Sequence, residues 1–89
     1  MIVRILGEGQ FELQGDALQA LKLADGHLLE VVAAADEAAF HRAFTDVLSL
    51  VRTSGKQVPN DRLVESDLVL PAAETTLHEA RRLFTEHPQ

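Results

Sequence analysis

The sequence predicts an α+β fold in one domain, residues 1–89. The expected elements are an N-terminal β-hairpin, a long antiparallel αα-hairpin, a third short strand near 67–70 and a short C-terminal helix. Three observations carry this reading. Two apolar runs, MIVRIL and QFELQ, flank Gly7-Glu8-Gly9. Two long stretches with apolar residues at helical spacing meet at Asp36. A turn-rich segment with two prolines then separates them from a last, narrower helical stripe. With 89 residues there is room for one core and not for two.

The opening segment, ILGEGQFEL, poses a choice between a phosphate-binding loop and a hairpin turn. A phosphate loop needs a strand, then the glycines, then a helix N-terminus whose amides face the anion. Here a second strand, Gln10–Gln14, follows the glycines, so the hairpin is the better reading. Taking Gly7-Glu8-Gly9 as a three-residue loop sets Leu6 opposite Gln10, Ile5 opposite Phe11, Arg4 opposite Glu12 and Val3 opposite Leu13. That register pairs apolar with apolar on one face and opposite charges on the other. Gly9 would supply the left-handed third residue such loops need.

Asp16-Ala-Leu-Gln19 fits a capping box and opens the first helix, which runs to Ala35. Leu18, Leu21, Ala24, Leu28, Val32 and Ala35 share one side of the wheel, broadened by Leu29 and Val31. Asp25 falls inside this apolar arc, Leu23 points to the polar side, and Gly26 sits in the middle of the helix. Two readings of Asp25 stand: a partly exposed residue paired with Lys22, or a buried acid with a partner elsewhere, such as Arg4. Asp36 then serves as N-cap of a second helix over 37–54. Ala39, Phe40, Ala43, Phe44, Val47, Leu48, Leu50 and Val51 fill half of its wheel, and Gly55 stops it. So short a connection implies antiparallel packing of the two helices.

Beyond Gly55 the chain should be extended and partly loop, with a turn at Val58-Pro59-Asn60-Asp61. Asp67–Leu70, ended by Pro71, forms the third strand beside the hairpin. Thr76-Leu-His-Glu79 is a second capping box, and Leu77, Ala80, Leu83 and Phe84 line the last helix, which ends before Pro88.

Composition narrows the function. The formal net charge is −6, with no cluster of Lys or Arg, which argues against nucleic acid. No apolar run approaches the roughly 20 residues of a membrane span, and the N-terminus lacks a signal peptide, so a cytoplasmic protein is expected. There is no cysteine. His27, His41 and His78 lie on polar faces and His87 in the tail, none at zinc-ligand spacing. Asp61, Glu65 and Asp67 cluster without the spacing or glycine of a calcium loop. No serine has a readable His–acid arrangement. The expectation is therefore no catalytic residues, no cofactor and no metal. The apolar helix faces leave two readings open, a satisfied monomer or a surface for self-association or a partner helix.

MIVRILGEGQF, DEAAFHRAF, VPNDRLVESDLVLP and ETTLHEARRLF, in this order over residues 1–85, resemble the PspA-associated protein family, PspAA. In that family the turn after Val58-Pro59 is usually more acidic, and a proline often stands where this chain has Glu65. The resemblance implies a small cytoplasmic bacterial protein acting with PspA, a coiled-coil membrane-remodelling protein of the envelope stress response. It implies a non-enzymatic adaptor or regulator, which reaches the inner membrane only through its partner. The residues singled out for partner contact are Leu23, Asp25, Val31, Leu48, Asp61 and Asp67. The alternatives are a self-assembling scaffold, that is a homo-oligomer, and a small ligand-binding domain using Asp25, Arg4 or His41.

Overall fold

A two-stranded hairpin is marginal in water and needs further strands or a helical layer against it. This chain supplies both. The computed structural model describes residues 1–62 and 64–86, with side chains up to residue 82. In chain order the elements are β1 (Ile2–Ile5), β2 (Gly9–Glu12), α1 (Gly15–Ala33), α2 (Glu37–Ser54), β3 (Lys56–Gln57), β4 (Leu68–Leu70) and α3 (Leu77–Glu86). The strands form one sheet in the order β3-β2-β1-β4. The fold is α+β, with the expected N-terminal hairpin, the αα-hairpin of α1 and α2, and the C-terminal helix. The strand expected near 67–70 is β4, lying parallel to β1, with Val3 beside Leu68 and Ile5 beside Leu70. The two-residue β3, which pairs antiparallel with β2, was not anticipated, because Lys56-Gln57 carries no apolar alternation.

The hairpin forms in a register displaced from the expected one. Ile2 pairs with Glu12, Val3 with Phe11, Arg4 with Gln10 and Ile5 with Gly9, so the loop is Leu6-Gly7-Glu8. A shift of two residues keeps every side chain on its face, which is why the division into apolar and polar sides survives. The cause of the shift lies outside the hairpin. The Leu6 amide donates to the Leu70 carbonyl at 3.0 Å, committing Leu6 to β4. Gln10 is claimed by the segment before β4: its Nε2 donates to the Val64 carbonyl at 3.0 Å and to Ser66 Oγ at 2.8 Å. Gly7 and Gly9 both take positive φ, +86° and +119°, which makes the sharp reversal possible.

Helix boundaries follow local chemistry. The capping box expected at Asp16 does not form. The chain enters α1 through Gly15 at φ +61°, which places Asp16 inside the first turn, where its charge still favours the helix N-terminus. Gln14 occupies the N-cap position without a side-chain cap, its amide donating instead to Glu12 Oε2 at 3.1 Å. α1 ends two residues earlier than expected, at Ala33. Ala35 adopts φ +57°, its amide reaching the Val32 carbonyl and that of Asp36 the Val31 carbonyl, a helix-terminating motif more often built on glycine. α2 has the expected bounds and the expected cap, Asp36 Oδ1 accepting from the Ala39 amide at 3.0 Å. At α3, Thr76 Oγ1 accepts from the Glu79 amide at 3.2 Å. The side chains of Leu83 and Phe84, and all of His87, lie outside the described residues.

Strand alternation then sorts the layers. Val3, Ile5, Phe11, Leu13 and Leu70 meet Leu21, Leu28, Val31 and Val32 of α1, and Phe40, Ala43, Phe44, Val47, Leu48 and Val51 of α2, in one core. α1 and α2 pack mainly on each other, with α3 touching both. On the other face, Arg4 is exposed while Gln10 is buried beneath the segment leading to β4. Within that segment the turn runs one residue later than expected, the Arg62 amide donating to the Pro59 carbonyl at 3.0 Å.

Candidate functional site on the outer face of the first helix

α1 should bury one stripe and present charge on the rest. It does the first and only part of the second. Leu21, Leu28, Val31 and Val32 are buried, yet Leu23 is 79% exposed and Leu29 44% exposed. Neither leucine is among the described core residues. At 3.6 residues per turn, Leu18, Lys22, Asp25 and Leu29 (spacing i, i+4, i+7, i+11) run along one edge of the helix. Leu18 and Asp25 are half-buried, and Lys22 and Leu29 are exposed. Leu23 stands on the other side of the same solvent-facing surface.

Asp25 is the anomalous member. Its Oδ1 is buried and has no hydrogen-bond partner among the described residues. Burial pushes its carboxyl above the ordinary carboxylate range. Both partners considered for it from the sequence fail. Lys22 makes no ion pair among the described residues, and a cation N-terminal to an acid on a helix is the weaker orientation. Arg4 projects from the sheet face turned away from the helices, since its neighbours Val3 and Ile5 face the core. The described ion pair lies elsewhere: Arg52 in the last turn of α2 grips Glu8 in the hairpin loop through Nε to Oε1 at 2.8 Å and through a second bond to Oε2. That grip holds the Glu8 carboxyl below its ordinary range, through the hydrogen bond first and the charge of Arg52 second.

The other residues singled out for partner contact fall into different settings. Val31 and Leu48 are buried in the core, their side chains already packed. Asp61 is exposed in the turn after β3. Asp67 fixes β4 to β1: its Oδ2 accepts from the Ile2 amide at 2.7 Å while its own amide donates to the Ile2 carbonyl at 2.8 Å. No hydrogen bond or ion pair among the described residues joins Asp25 to Arg4 or His41, and two open surface depressions, of about 210 and 380 Å³, are lined by other residues. Among the described residues no three His, Asp or Glu side chains converge as metal ligands, and no helix is long and apolar enough to cross a membrane. Sequence reasoning missed Gln10, whose place between Gly9 and Phe11 reads as an ordinary outward polar residue.

The outer face of α1 thus combines exposed apolar side chains with an acid left unsatisfied among the described residues. The family model for PspAA, PspA-associated protein, matches residues 1–88, and the chain belongs to that family. No curated protein and no solved structure matches the chain closely enough to add a further likeness.

Proposed function

We propose, from that membership, that this protein is a non-enzymatic adaptor or regulator that associates with a PspA-like coiled-coil protein in the bacterial envelope stress response. The observation that carries the reading is the family match, which runs over residues 1–88. The exposed leucines of α1 support it, because an amphipathic helix is the natural cover for such a face. With a net charge of −6 the chain is repelled by anionic headgroups, which supports a cytoplasmic adaptor that reaches the inner membrane only through its partner.

The test is size-exclusion chromatography with light scattering on the protein alone, on the PspA-like protein of the same genome, and on their mixture at tens of micromolar. A mixed species of defined mass is expected. Two unchanged peaks sink the adaptor reading, and the mass of the lone protein then separates a self-assembling scaffold from a monomer.

A further inference from the structure

The edge of α1 marked by Leu18, Asp25 and Leu29 combines two features that the described residues leave unused. Leu29 is exposed one turn beyond Asp25, and Asp25 keeps a buried carboxylate oxygen without a partner among the described residues. A half-buried acid among leucines weakens the free protein, because no hydrogen bond or counter-charge from the described residues offsets its desolvation. A cation delivered from outside would offset it, and the residue is exposed enough to be reached. Leu18 to Leu29 spans eleven residues, about 16 Å of helix. That matches the footprint of three turns of another helix, and neither of the two depressions described above includes this edge.

We infer that an amphipathic helix of a protein partner docks along this edge of α1, placing an Arg or Lys against Asp25 between apolar side chains that cover Leu18 and Leu29. The inference rests on the adaptor reading above and names its contact surface. The charge pattern specifies the visitor further. Lys22 lies three residues before Asp25 and is exposed, so the complementary helix carries an acid one turn from its cation. Either Arg or Lys can serve, because Oδ1 is enclosed and a cation from outside meets the other carboxylate oxygen alone. Affinity and stability should therefore move in opposite directions at this one residue.

The experiment measures binding of the PspA-like protein by calorimetry, together with thermal unfolding of the free chain, for wild type, Asp25→Asn, Leu29→Ala and Glu30→Ala. Glu30 lies outside the edge and serves as the control. Expected is a loss of at least about tenfold in affinity for Asp25→Asn, with a melting temperature no lower than wild type, and a smaller loss for Leu29→Ala. Glu30→Ala should bind as wild type does. If Asp25→Asn binds unchanged, the inference fails while the adaptor reading stands. If the wild-type chain forms no complex, the adaptor reading fails and takes the inference with it. If the free wild-type chain is a dimer that Asp25→Asn dissociates, the edge belongs to a second copy and the inference is overturned.

Discussion

α1 and α2 are almost equally long, 19 and 18 residues, and pack on each other, yet they are built to different standards. α2 has a capping aspartate, an unbroken buried stripe from Phe40 to Val51, a polar opposite face and a last turn tied to the hairpin through Arg52. α1 has no capping side chain, a glycine at its middle, a half-buried acid without a partner among the described residues and two leucines turned to solvent. Local rules are usually obeyed where only folding is at stake and broken where a surface has another use. The contrast sets the two helices apart: α2 organises the core, and α1 closes the core with one side while leaving apolar residues exposed on the other, the side proposed above for contact.

The largest effect expected from this division is at Phe40. Its ring is fully enclosed, stacked on Phe44 with centroids 5.4 Å apart and met edge-on by His41. Phe40→Ala should cost about 3–5 kcal/mol, enough to unfold much of a small domain at room temperature. Leu23→Ala, on the exposed side of α1, should stay within about 0.5 kcal/mol of wild type. Chemical denaturation of both variants checks the pair. A costly Leu23→Ala would break the comparison, because it would mean that the outer face of α1 is already covered in the free protein.

The two helical-region glycines sharpen it. At Gly55 an added Cβ would stand 2.5 Å from the Val51 carbonyl oxygen and 3.1 Å from both Leu13 Cδ1 and Phe11 Cβ. The backbone there is extended, φ −84°, so alanine is excluded by neighbours and not by conformation. Gly55→Ala should cost about 1–3 kcal/mol as α2 and the sheet are forced apart. At Gly26 nothing lies within 4 Å of the added atom, and Gly26→Ala should gain up to about 1 kcal/mol from helix propensity alone. Denaturation midpoints of opposite shift are the expected result. A destabilised Gly26→Ala would show that α1 needs its glycine for packing.

The same contrast explains what could be read from the sequence. α2 was legible to the residue, because cap, stripe and stop agree with one another. The hairpin was legible as a hairpin, yet its register was set by Leu70 and by the segment around Val64 and Ser66, more than fifty residues away, which pairwise strand preferences cannot see. β3 is two residues held between α2 and β2, too short to carry a pattern. In the candidate site, Leu23 and Asp25 were visible as departures from the wheel of α1. Val31 and Leu48 were not separable from core, because an apolar residue at helical spacing looks the same whether it meets its own sheet or a partner. Asp67 read as one of three loop acids, and its bond to the Ile2 amide depends on a parallel pairing that no local signal announces.

Helix caps give an effect of intermediate size. Asp36→Ala removes the acceptor for the Ala39 amide and should cost about 1 kcal/mol. At the start of α1 the side chain of Gln14 is turned to Glu12, so Gln14→Asp should cost little and can gain a few tenths of a kcal/mol if its carboxylate takes up a first-turn amide. Thermal unfolding monitored by circular dichroism reads both. Equal losses in the two variants would mean that α1 is capped as firmly as α2, against the comparison.

The smallest effects concern two carboxylates that respond to pH with opposite sign. Arg52 holds the Glu8 carboxyl below its ordinary range, so the contribution of this pair is full above the unfolded-state pKa and fades as pH falls through the lowered folded value. Both partners are partly exposed, which limits the contribution to about 0.2–1 kcal/mol. Asp25 behaves the other way. Burial raises its carboxyl, so the folded state holds the proton more tightly than the unfolded one. Its penalty is absent below the unfolded-state pKa and develops as pH rises through the raised folded value. Glu8→Gln should therefore lose stability at pH 7 and little at pH 3, while Asp25→Asn should be neutral at pH 3 and no less stable than wild type at pH 7. Denaturation midpoints of both variants across that range, subtracted from wild type, should give two curves of opposite slope. Parallel curves would mean that the α1 acid is stabilised in the free protein as the hairpin acid is, and the distinction between a folding helix and a contact helix would lose its electrostatic half.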